Sequence, residues 1–269
     1  MTLDALARDT GVFLIVAMDQ RESLRTMLAQ HHPAPDDAQL VRFKLTAARE
    51  LAPHASGFLI DRRYGFDHVE LPPTCGLLLA ADALVQERGG PVEDTDLDPQ
   101  LDLGGARAAG VVALKLLVIW RTPGERLELA RRFVELCAAH DVLSVLEGVV
   151  RVDGNRDAAI VEAARELSSV GPSLYKVEVP EERARFAEID AAVDCPWVVL
   201  SSGVEPAAFP AAVEAACRAG ASGMLAGRAV WGSAVAASDP TGPLREHAVP
   251  LLQRLGDIVD RYGRPWSSV

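Results

Sequence analysis

The sequence predicts an α/β fold, a single-domain (β/α)8 barrel over residues 1–269. Two observations predict this fold. Short apolar runs of buried-strand type alternate with amphipathic stretches, and there are eight such runs in a chain near the usual barrel length. A doubly wound open sheet is the alternative, but the Gly-x-Gly-x-x-Gly turn that would follow its first strand is missing.

The predicted strands cover residues 12–18, 57–60, 76–80, 112–118, 143–146, 174–179, 197–200 and 223–226. Helical patterns between and after them include residues 127–139, 158–167, 206–219 and 251–262. The acidic segment 87–105, rich in glycine and proline, is predicted to be the one long irregular stretch. It is interpreted either as a lid over the site or as an ordinary solvated loop.

Composition narrows the classes of function. A net charge of −11 argues against a nucleic-acid partner, and no apolar stretch approaches the length of a membrane span. No secretory signal is visible, and four well-separated cysteines indicate reduced thiols, so we expect a cytoplasmic enzyme. His31-His32 is predicted to lie in a surface loop, and no histidine spacing favours a metal. We expect no cofactor, a small-molecule substrate and a homo-oligomer.

Lys176 is the most informative residue, because it interrupts the strand-like run Leu174-Tyr-Lys-Val-Glu-Val-Pro180. Burying an unpaired ammonium is costly, whereas a neutral amine can attack a ketone and form a Schiff base. A second lysine, Lys115, stands in another apolar run, and Glu147 follows the run between them. We expect Lys176 to be the nucleophile, held neutral by desolvation and by the Lys115 cation. Alternatively, its ammonium reaches solvent at the strand end.

Polar residues follow most of the predicted strands, at the ends where barrel active sites form. Glu147 is expected to shuttle protons during imine formation, or only to neutralise the lysines. Asp19 is expected to polarise or deprotonate a substrate hydroxyl, or else to cap the helix that begins near Glu22. Glu178 has the parity of Lys176, so it supports the lysine or terminates the strand. The remaining strand ends contribute Asp61, Arg62, Arg63, Trp120 and Arg121.

Two glycine-containing turns, after the seventh and eighth predicted strands, predict an anion site. They contain Ser201, Ser202 and Gly203 in one turn and Gly227 and Arg228 in the other. Barrels often bind phosphate in these two loops through backbone N–H groups, and an arginine adds a bidentate donor. Because the whole chain is acidic, an anionic substrate must be captured by such local groups.

Five segments that together span most of the chain carry a family resemblance. They are Ala17-Met-Asp-Gln-Arg-Glu-Ser-Leu24, Ala113-Leu-Lys-Leu-Leu-Val-Ile-Trp-Arg121, Leu174-Tyr-Lys-Val-Glu-Val-Pro180, Pro196-Trp-Val-Val-Leu-Ser-Ser-Gly-Val204 and Gly220-Ala-Ser-Gly-Met-Leu-Ala-Gly-Arg-Ala-Val-Trp231. These segments resemble the class I aldolase family that includes tagatose 1,6-bisphosphate aldolase and sulfofructosephosphate aldolase. The run Glu147-Gly-Val-Val-Arg151 looks closest to the sulfofructosephosphate branch.

The resemblance implies a Schiff base on Lys176, phosphate binding at the two glycine-containing turns, and no metal. Two departures from the family pattern fall near the expected sugar end of the pocket. Gly148 replaces the proline expected after the glutamate, and Asp61-Arg62-Arg63-Tyr64 matches neither branch.

The implied reaction is a retro-aldol cleavage. The expected substrate is 6-deoxy-6-sulfofructose 1-phosphate, which would give dihydroxyacetone phosphate and sulfolactaldehyde. Tagatose 1,6-bisphosphate or a related ketose bisphosphate is the alternative. Gln20 is expected to bind the substrate. Arg151 is also available at a strand end, but either Arg21 or Arg121 is expected to contact the distal anion, with Arg62 and Arg63 at the surface. Two interpretations from other classes stay open: a non-covalent barrel isomerase or decarboxylase, and a catalytically silent sugar-phosphate-binding barrel.

Overall fold

The computed structural model of the protein describes residues 1–87, 90–201 and 203–269. Its strands are β1 (Phe13–Met18), β2 (Gly57–Ile60), β3 (Gly76–Ala80), β4 (Asp82–Gln86), β5 (Val92–Leu97), β6 (Val111–Trp120), β7 (Leu143–Val150), β8 (Leu174–Glu178), β9 (Trp197–Leu200) and β10 (Gly223–Ala226). Within the described residues, eight of these strands pair in parallel and close into a barrel in the order β1-β10-β9-β8-β7-β6-β3-β2. The predicted (β/α)8 barrel is confirmed.

The helices are α1 (Glu22–Ala29), α2 (Asp37–Leu51), α3 (Leu103–Ala108), α4 (Leu127–Ala139), α5 (Arg156–Ser168), α6 (Arg185–Asp190), α7 (Phe209–Ala219), α8 (Arg228–Trp231), α9 (Thr241–Pro243) and α10 (Val249–Tyr262). All four predicted helical patterns are helices, with ends that differ by a few residues. Between β2 and β3 the chain forms a short 3-10 turn, Phe66–His68, where the ideal barrel has an α-helix. No helix among the described residues is long and apolar enough to cross a membrane.

The prediction that segment 87–105 is irregular is wrong for its described part. This part contains β5 and the start of α3, and β5 pairs antiparallel with β4 to form a hairpin. The strand was missed because Val92-Glu-Asp-Thr-Asp-Leu97 has no apolar run. A buried hydroxyl instead anchors this strand to the barrel, because Thr95 Oγ1 donates to the carbonyl oxygen of Leu117, on β6, at 2.6 Å.

The barrel interior is apolar at the bottom and charged at the mouth. Side chains of a strand alternate between the two faces of the sheet, so every second residue points into the barrel. Phe13, Ile15 and Ala17 of β1 belong to the inner apolar cluster, which also includes Val145 and Leu174. The same alternation, continued towards the carboxyl ends of the strands, brings charged residues into one layer at the mouth: Asp19, Asp82, Lys115, Glu147 and Lys176.

Candidate active site

The strand register places the two lysines on either side of a glutamate. Glu147 and Lys176 are directly paired across β7 and β8, so their side chains leave the sheet on the same face. On β6, Lys115 is paired with Val145, two residues before Glu147. The barrel therefore has the predicted arrangement, in which Glu147 stands on the strand between those of Lys115 and Lys176.

Lys176 and Glu147 form a buried ion pair. The distance from Lys176 Nζ to Glu147 Oε2 is 2.9 Å, and Lys115 Nζ lies 3.5 Å from the same oxygen. Both lysines are nearly inaccessible, Lys115 being 2% exposed and Lys176 4%. Neither ammonium reaches bulk solvent, which removes the interpretation of Lys176 as a strand-end residue that extends out to water.

The two lysines differ in how many carboxylates surround them. Lys115 Nζ lies 2.6 Å from Asp19 Oδ2 and 2.7 Å from Asp82 Oδ2, in addition to its contact with Glu147. Burial alone would lower the pKa of Lys115, but these carboxylates raise it well above its usual value. Lys115 therefore stays protonated and is not available as a nucleophile. Lys176 has one carboxylate contact among the described residues, with Glu147.

Asp19 is an ionised partner of Lys115 and does not cap a helix. Burial would raise the pKa of the Asp19 carboxyl, but the Lys115 and Lys176 cations hold it well below its usual range. The residue at the N-cap of α1 is Arg21, and no side-chain capping bond forms there. The alternative that Asp19 only caps the helix is therefore removed, and its carboxylate lies in the charged layer instead.

Asp82 is a site residue that the sequence interpretation missed. Its Oδ2 contacts Lys115 Nζ, and its Oδ1 accepts from Arg21 Nη2 at 2.7 Å. It stands two residues beyond the end of β3, at the inward parity, and begins the hairpin strand β4. The sequence analysis names no polar residue at the end of the third predicted strand, although the inward parity of Asp82 could have identified it.

A second buried ion pair lies behind the charged layer. Lys44, on α2, is fully buried and donates to the carbonyl oxygen of Met18 at 2.6 Å and to the carboxylate of Asp61. Burial lowers the pKa of Lys44, and the carboxylate of Asp61 opposes that shift. Arg21 links this pair to the layer, because its Nε lies 4.0 Å from Asp61 and its Nη2 is bonded to Asp82. A continuous series of ion pairs therefore runs from α2 to Lys115.

The charged layer opens into a cavity of about 270 Å³ at the barrel mouth. Charged residues of the cavity wall are Asp19, Arg21, Asp82, Lys115, Glu147, Arg151, Lys176, Glu178 and Arg228. The hairpin contributes to one side of this wall through Leu84, Gln86 and Val92. Gln20 also lies in the wall, and its Oε1 is buried with no hydrogen-bond partner among the described residues. That oxygen is free to accept from a ligand hydroxyl.

The predicted anion site is only partly formed by side chains. Arg228 is exposed and lines the cavity. Gly227 packs against β1, because a Cβ at this position would lie 2.5 Å from the carbonyl oxygen of Ala17. Ser201 is buried and Gly203 is exposed with a φ of +82°, and neither belongs to the cavity wall as described. Ser202, predicted for the same site, lies outside the described residues.

The arginines predicted for the distal anion are otherwise engaged. Arg21 donates to both the carbonyl and the carboxylate of Asp82. Arg121 donates to the carbonyl oxygen of Glu93 and lies outside the cavity wall, so its predicted contact with the substrate is corrected. Among the surface candidates, Arg62 pairs with Asp98. Arg63 is the most exposed of the four, at 68% of its side chain.

Neither departure from the family pattern contributes a residue to the described cavity wall. A Cβ at Gly148 would lie 2.3 Å from the hydroxyl oxygen of Tyr175, so glycine is required there by packing on the outer face of the barrel. Asp61 is held under the layer by Lys44.

Glu178 accepts from the backbone N–H of Val150 at 2.7 Å and pairs with Arg156, so it fixes the ends of β7 and β8.

Comparison with known proteins agrees with this geometry. Residues 13–233 match the family described as DeoC/LacD family aldolase. The chain is 29% identical to tagatose 1,6-diphosphate aldolase 2 of Streptococcus pyogenes, over 96% of this chain and 93% of that protein. It is 28% identical to tagatose 1,6-diphosphate aldolase of Staphylococcus aureus, over 87% and 85% of the two chains.

Solved structures show the same fold. An archaeal fructose-1,6-bisphosphate aldolase, with its catalytic lysine bound to a carbinolamine intermediate, superimposes with a TM-score of 0.70 at 18% identity, over 96% of this chain and 98% of that one. The fructose-bisphosphate aldolase of Plasmodium falciparum gives 0.71 at 13% identity, over 97% and 93%. Since the family match covers most of the barrel, the chain belongs to the DeoC/LacD family of aldolases and is a lyase.

Proposed function

We propose that this protein is a class I aldolase that cleaves a ketose 1,6-bisphosphate, foremost tagatose 1,6-bisphosphate, through a Schiff base on Lys176. The observation that carries the proposal is the buried contact of Lys176 with Glu147, beside a Lys115 that three carboxylates keep protonated. The names of the Streptococcus pyogenes and Staphylococcus aureus relatives support the bisphosphate over the sulfosugar.

Imine formation needs a nucleophile and a proton shuttle, and the pair at the barrel mouth offers both. The Lys176 ammonium first passes a proton to Glu147, and the neutral amine that results attacks C2 of the ketose. A C–N bond forms while the C2 oxygen takes up that proton from Glu147. Glu147, at 2.9 Å, accepts the proton that the amine releases and returns it to the C2 hydroxyl, which leaves as water. The product is a protonated imine, which acts as the electron sink for carbon–carbon cleavage.

Cleavage needs a base at the C4 hydroxyl, and Asp19 is the ionised group proposed for it. As the C3–C4 bond breaks, its electron pair moves into the imine, and the C4 hydroxyl becomes acidic enough to pass its proton to the carboxylate. The aldehyde half, glyceraldehyde 3-phosphate, departs and leaves an enamine. Protonation of the enamine at C3 and hydrolysis of the imine then release dihydroxyacetone phosphate and the free lysine. Lys115 holds Asp19 and Glu147 in place throughout.

Asp19→Asn is expected to separate the two halves of this reaction. Asparagine keeps the shape of aspartate but cannot accept the C4 proton, so kcat for cleavage should fall by about 10²- to 10⁴-fold. Dihydroxyacetone phosphate needs no C4 deprotonation, and borohydride should still trap it on Lys176. Steady-state kinetics and intact-protein mass spectrometry measure the two effects. Loss of the adduct in this variant would assign Asp19 to imine formation.

Borohydride reduction tests the reaction class. Reduction in the presence of dihydroxyacetone phosphate should leave a permanent adduct, located on Lys176 by peptide mass spectrometry. A non-covalent isomerase or a silent binding protein would give no adduct, and an adduct on Lys115 would refute the assignment of the nucleophile.

Comparison of substrates tests the assignment of the bisphosphate. Tagatose 1,6-bisphosphate is expected to give the highest kcat/KM among itself, fructose 1,6-bisphosphate and 6-deoxy-6-sulfofructose 1-phosphate. The sulfosugar is the second candidate, because the described cavity wall has one arginine without a carboxylate partner beyond β7, which matches the single charge of a sulfonate. A preference for the sulfosugar would replace the substrate and keep the Schiff-base chemistry.

A further inference from the structure

Two arginines of the described cavity wall have no carboxylate partner, whereas the other charged side chains of the wall are paired. The carboxylates Asp19, Asp82 and Glu147 are matched by three cations that contact them, Arg21, Lys115 and Lys176. The fourth carboxylate of the wall, Glu178, has its own ion-pair partner in Arg156. Two cations of the wall remain, Arg151 and Arg228, and no described carboxylate lies within ion-pair distance of either.

The two arginines stand on opposite sides of Lys176. Arg228 follows β10 and Arg151 follows β7, and β9 and β8 lie between these strands in the barrel order. Three strand spacings correspond to about 14 Å along the barrel wall. An extended six-carbon sugar with an anionic group on each end spans roughly 10 Å, from carbon–carbon bonds near 1.5 Å. Two long arginine side chains that reach inward can therefore contact both ends of one substrate.

The height of Arg151 above the reacting layer assigns it to the far end of the sugar. Arg151 lies four residues beyond Glu147, about 13 Å further along the strand direction. Pairing continues to this residue, because the N–H of Arg151 donates to the carbonyl oxygen of Trp120 at 2.9 Å. The preceding backbone is also fixed, since the N–H of Val150 donates to Glu178. Among the described residues, its guanidinium donates one hydrogen bond, to the carbonyl oxygen of Val150, so its other donors are available to a ligand.

We propose that Arg151 is the specificity-determining residue that binds the anionic group on C6 of the ketose, at the end of the substrate opposite the C1 phosphate that the family resemblance assigns to Arg228. This inference rests on the proposed aldolase function and adds to it the residue that selects substrates charged at both ends. The shared chemistry is an anionic group, phosphate or sulfonate, that accepts hydrogen bonds from a guanidinium.

The test compares substrates with and without the distal anion in Arg151→Gln. We expect kcat/KM for tagatose 1,6-bisphosphate to fall by about 10- to 150-fold, the range for one lost charge-assisted contact. For tagatose 1-phosphate, kcat/KM should stay within about twofold of wild type, since the removed contact is absent from that substrate. Arg151→Lys should restore part of the loss. Arg63→Gln, which removes an exposed arginine, serves as the charge-matched control and should behave as wild type.

In Arg228→Gln, kcat/KM should fall for both tagatose 1,6-bisphosphate and tagatose 1-phosphate, because both carry the C1 phosphate. A parallel measurement with 6-deoxy-6-sulfofructose 1-phosphate shows whether Arg151 serves a phosphate or a sulfonate, according to which substrate loses more. Equal losses for the bisphosphate and the 1-phosphate in Arg151→Gln, or no loss for either, would overturn the role of Arg151. Failure of wild-type protein to form the dihydroxyacetone phosphate adduct would instead overturn the aldolase mechanism, and the inference with it.

Discussion

Lys176→Arg is expected to abolish turnover and the borohydride adduct while leaving the barrel folded. Arginine keeps a positive charge next to Glu147, so the buried ion pair persists. Its guanidinium stays protonated at any working pH and cannot attack a carbonyl. We therefore expect kcat to fall by at least about four orders of magnitude, as when a covalent nucleophile is removed. Circular dichroism verifies folding, and a coupled assay for dihydroxyacetone phosphate measures turnover.

Lys115→Ala provides the contrast within the same layer. Without its ammonium, the carboxylates of Asp19, Asp82 and Glu147 lose the cation that holds them together. Turnover should become slow and its pH profile should shift, yet borohydride should still label Lys176. Near-normal turnover in Lys176→Arg, or loss of the adduct only in Lys115→Ala, would exchange the roles that we propose for the two lysines.

The sequence was sufficient to predict the barrel because its strands are buried on both faces. Each strand is a short apolar run, and the length of the chain matches eight such units. The same burial exposed the candidate site, since Lys115, Glu147 and Lys176 interrupt or follow runs that are otherwise apolar. Residues that break a pattern are visible only where the pattern is strong.

The residues that escaped prediction lie where no such pattern exists. Lys44 belongs to an amphipathic helix in which a lysine is ordinary, and its burial depends on how α2 packs against the ends of β1 and β2. The hairpin strand β5 is acidic, and its residues do not alternate between apolar and polar. Neither its composition nor a two-residue hydrophobic period therefore indicates a strand. The engagement of Arg21 and Arg121 depends on that hairpin, because both donate to its residues. The burial of Lys44, the formation of β5 and the hydrogen bonds of the two arginines all depend on tertiary contacts, which the local sequence does not show.

Lys44→Met is expected to be the most destabilising single change under the active site. The substitution keeps the length of the side chain but removes the ammonium that pairs with the buried carboxylate of Asp61. That carboxylate then keeps only the N–H of Tyr64 and the guanidinium of Arg21, whose Nε lies 4.0 Å away. Removing one partner of a buried ion pair typically lowers the free energy of unfolding by about 3–5 kcal/mol. Urea denaturation measures the loss. Arg42→Met, an exposed change on the same helix, should stay within about 0.5 kcal/mol of wild type.

A double variant decides whether the pair or the position matters. In Lys44→Met with Asp61→Leu, no uncompensated charge remains, and replacement of a buried pair by apolar residues is often neutral or stabilising. We therefore expect the double variant to recover most of the stability lost in Lys44→Met, with a coupling free energy of roughly 2–3 kcal/mol between the two sites. Recovery of stability should not restore activity fully, since Asp61 also lies near Arg21, which holds Asp82 against Lys115. Additive losses in the double variant would show that Lys44 stabilises the protein through packing and its bond to Met18 alone.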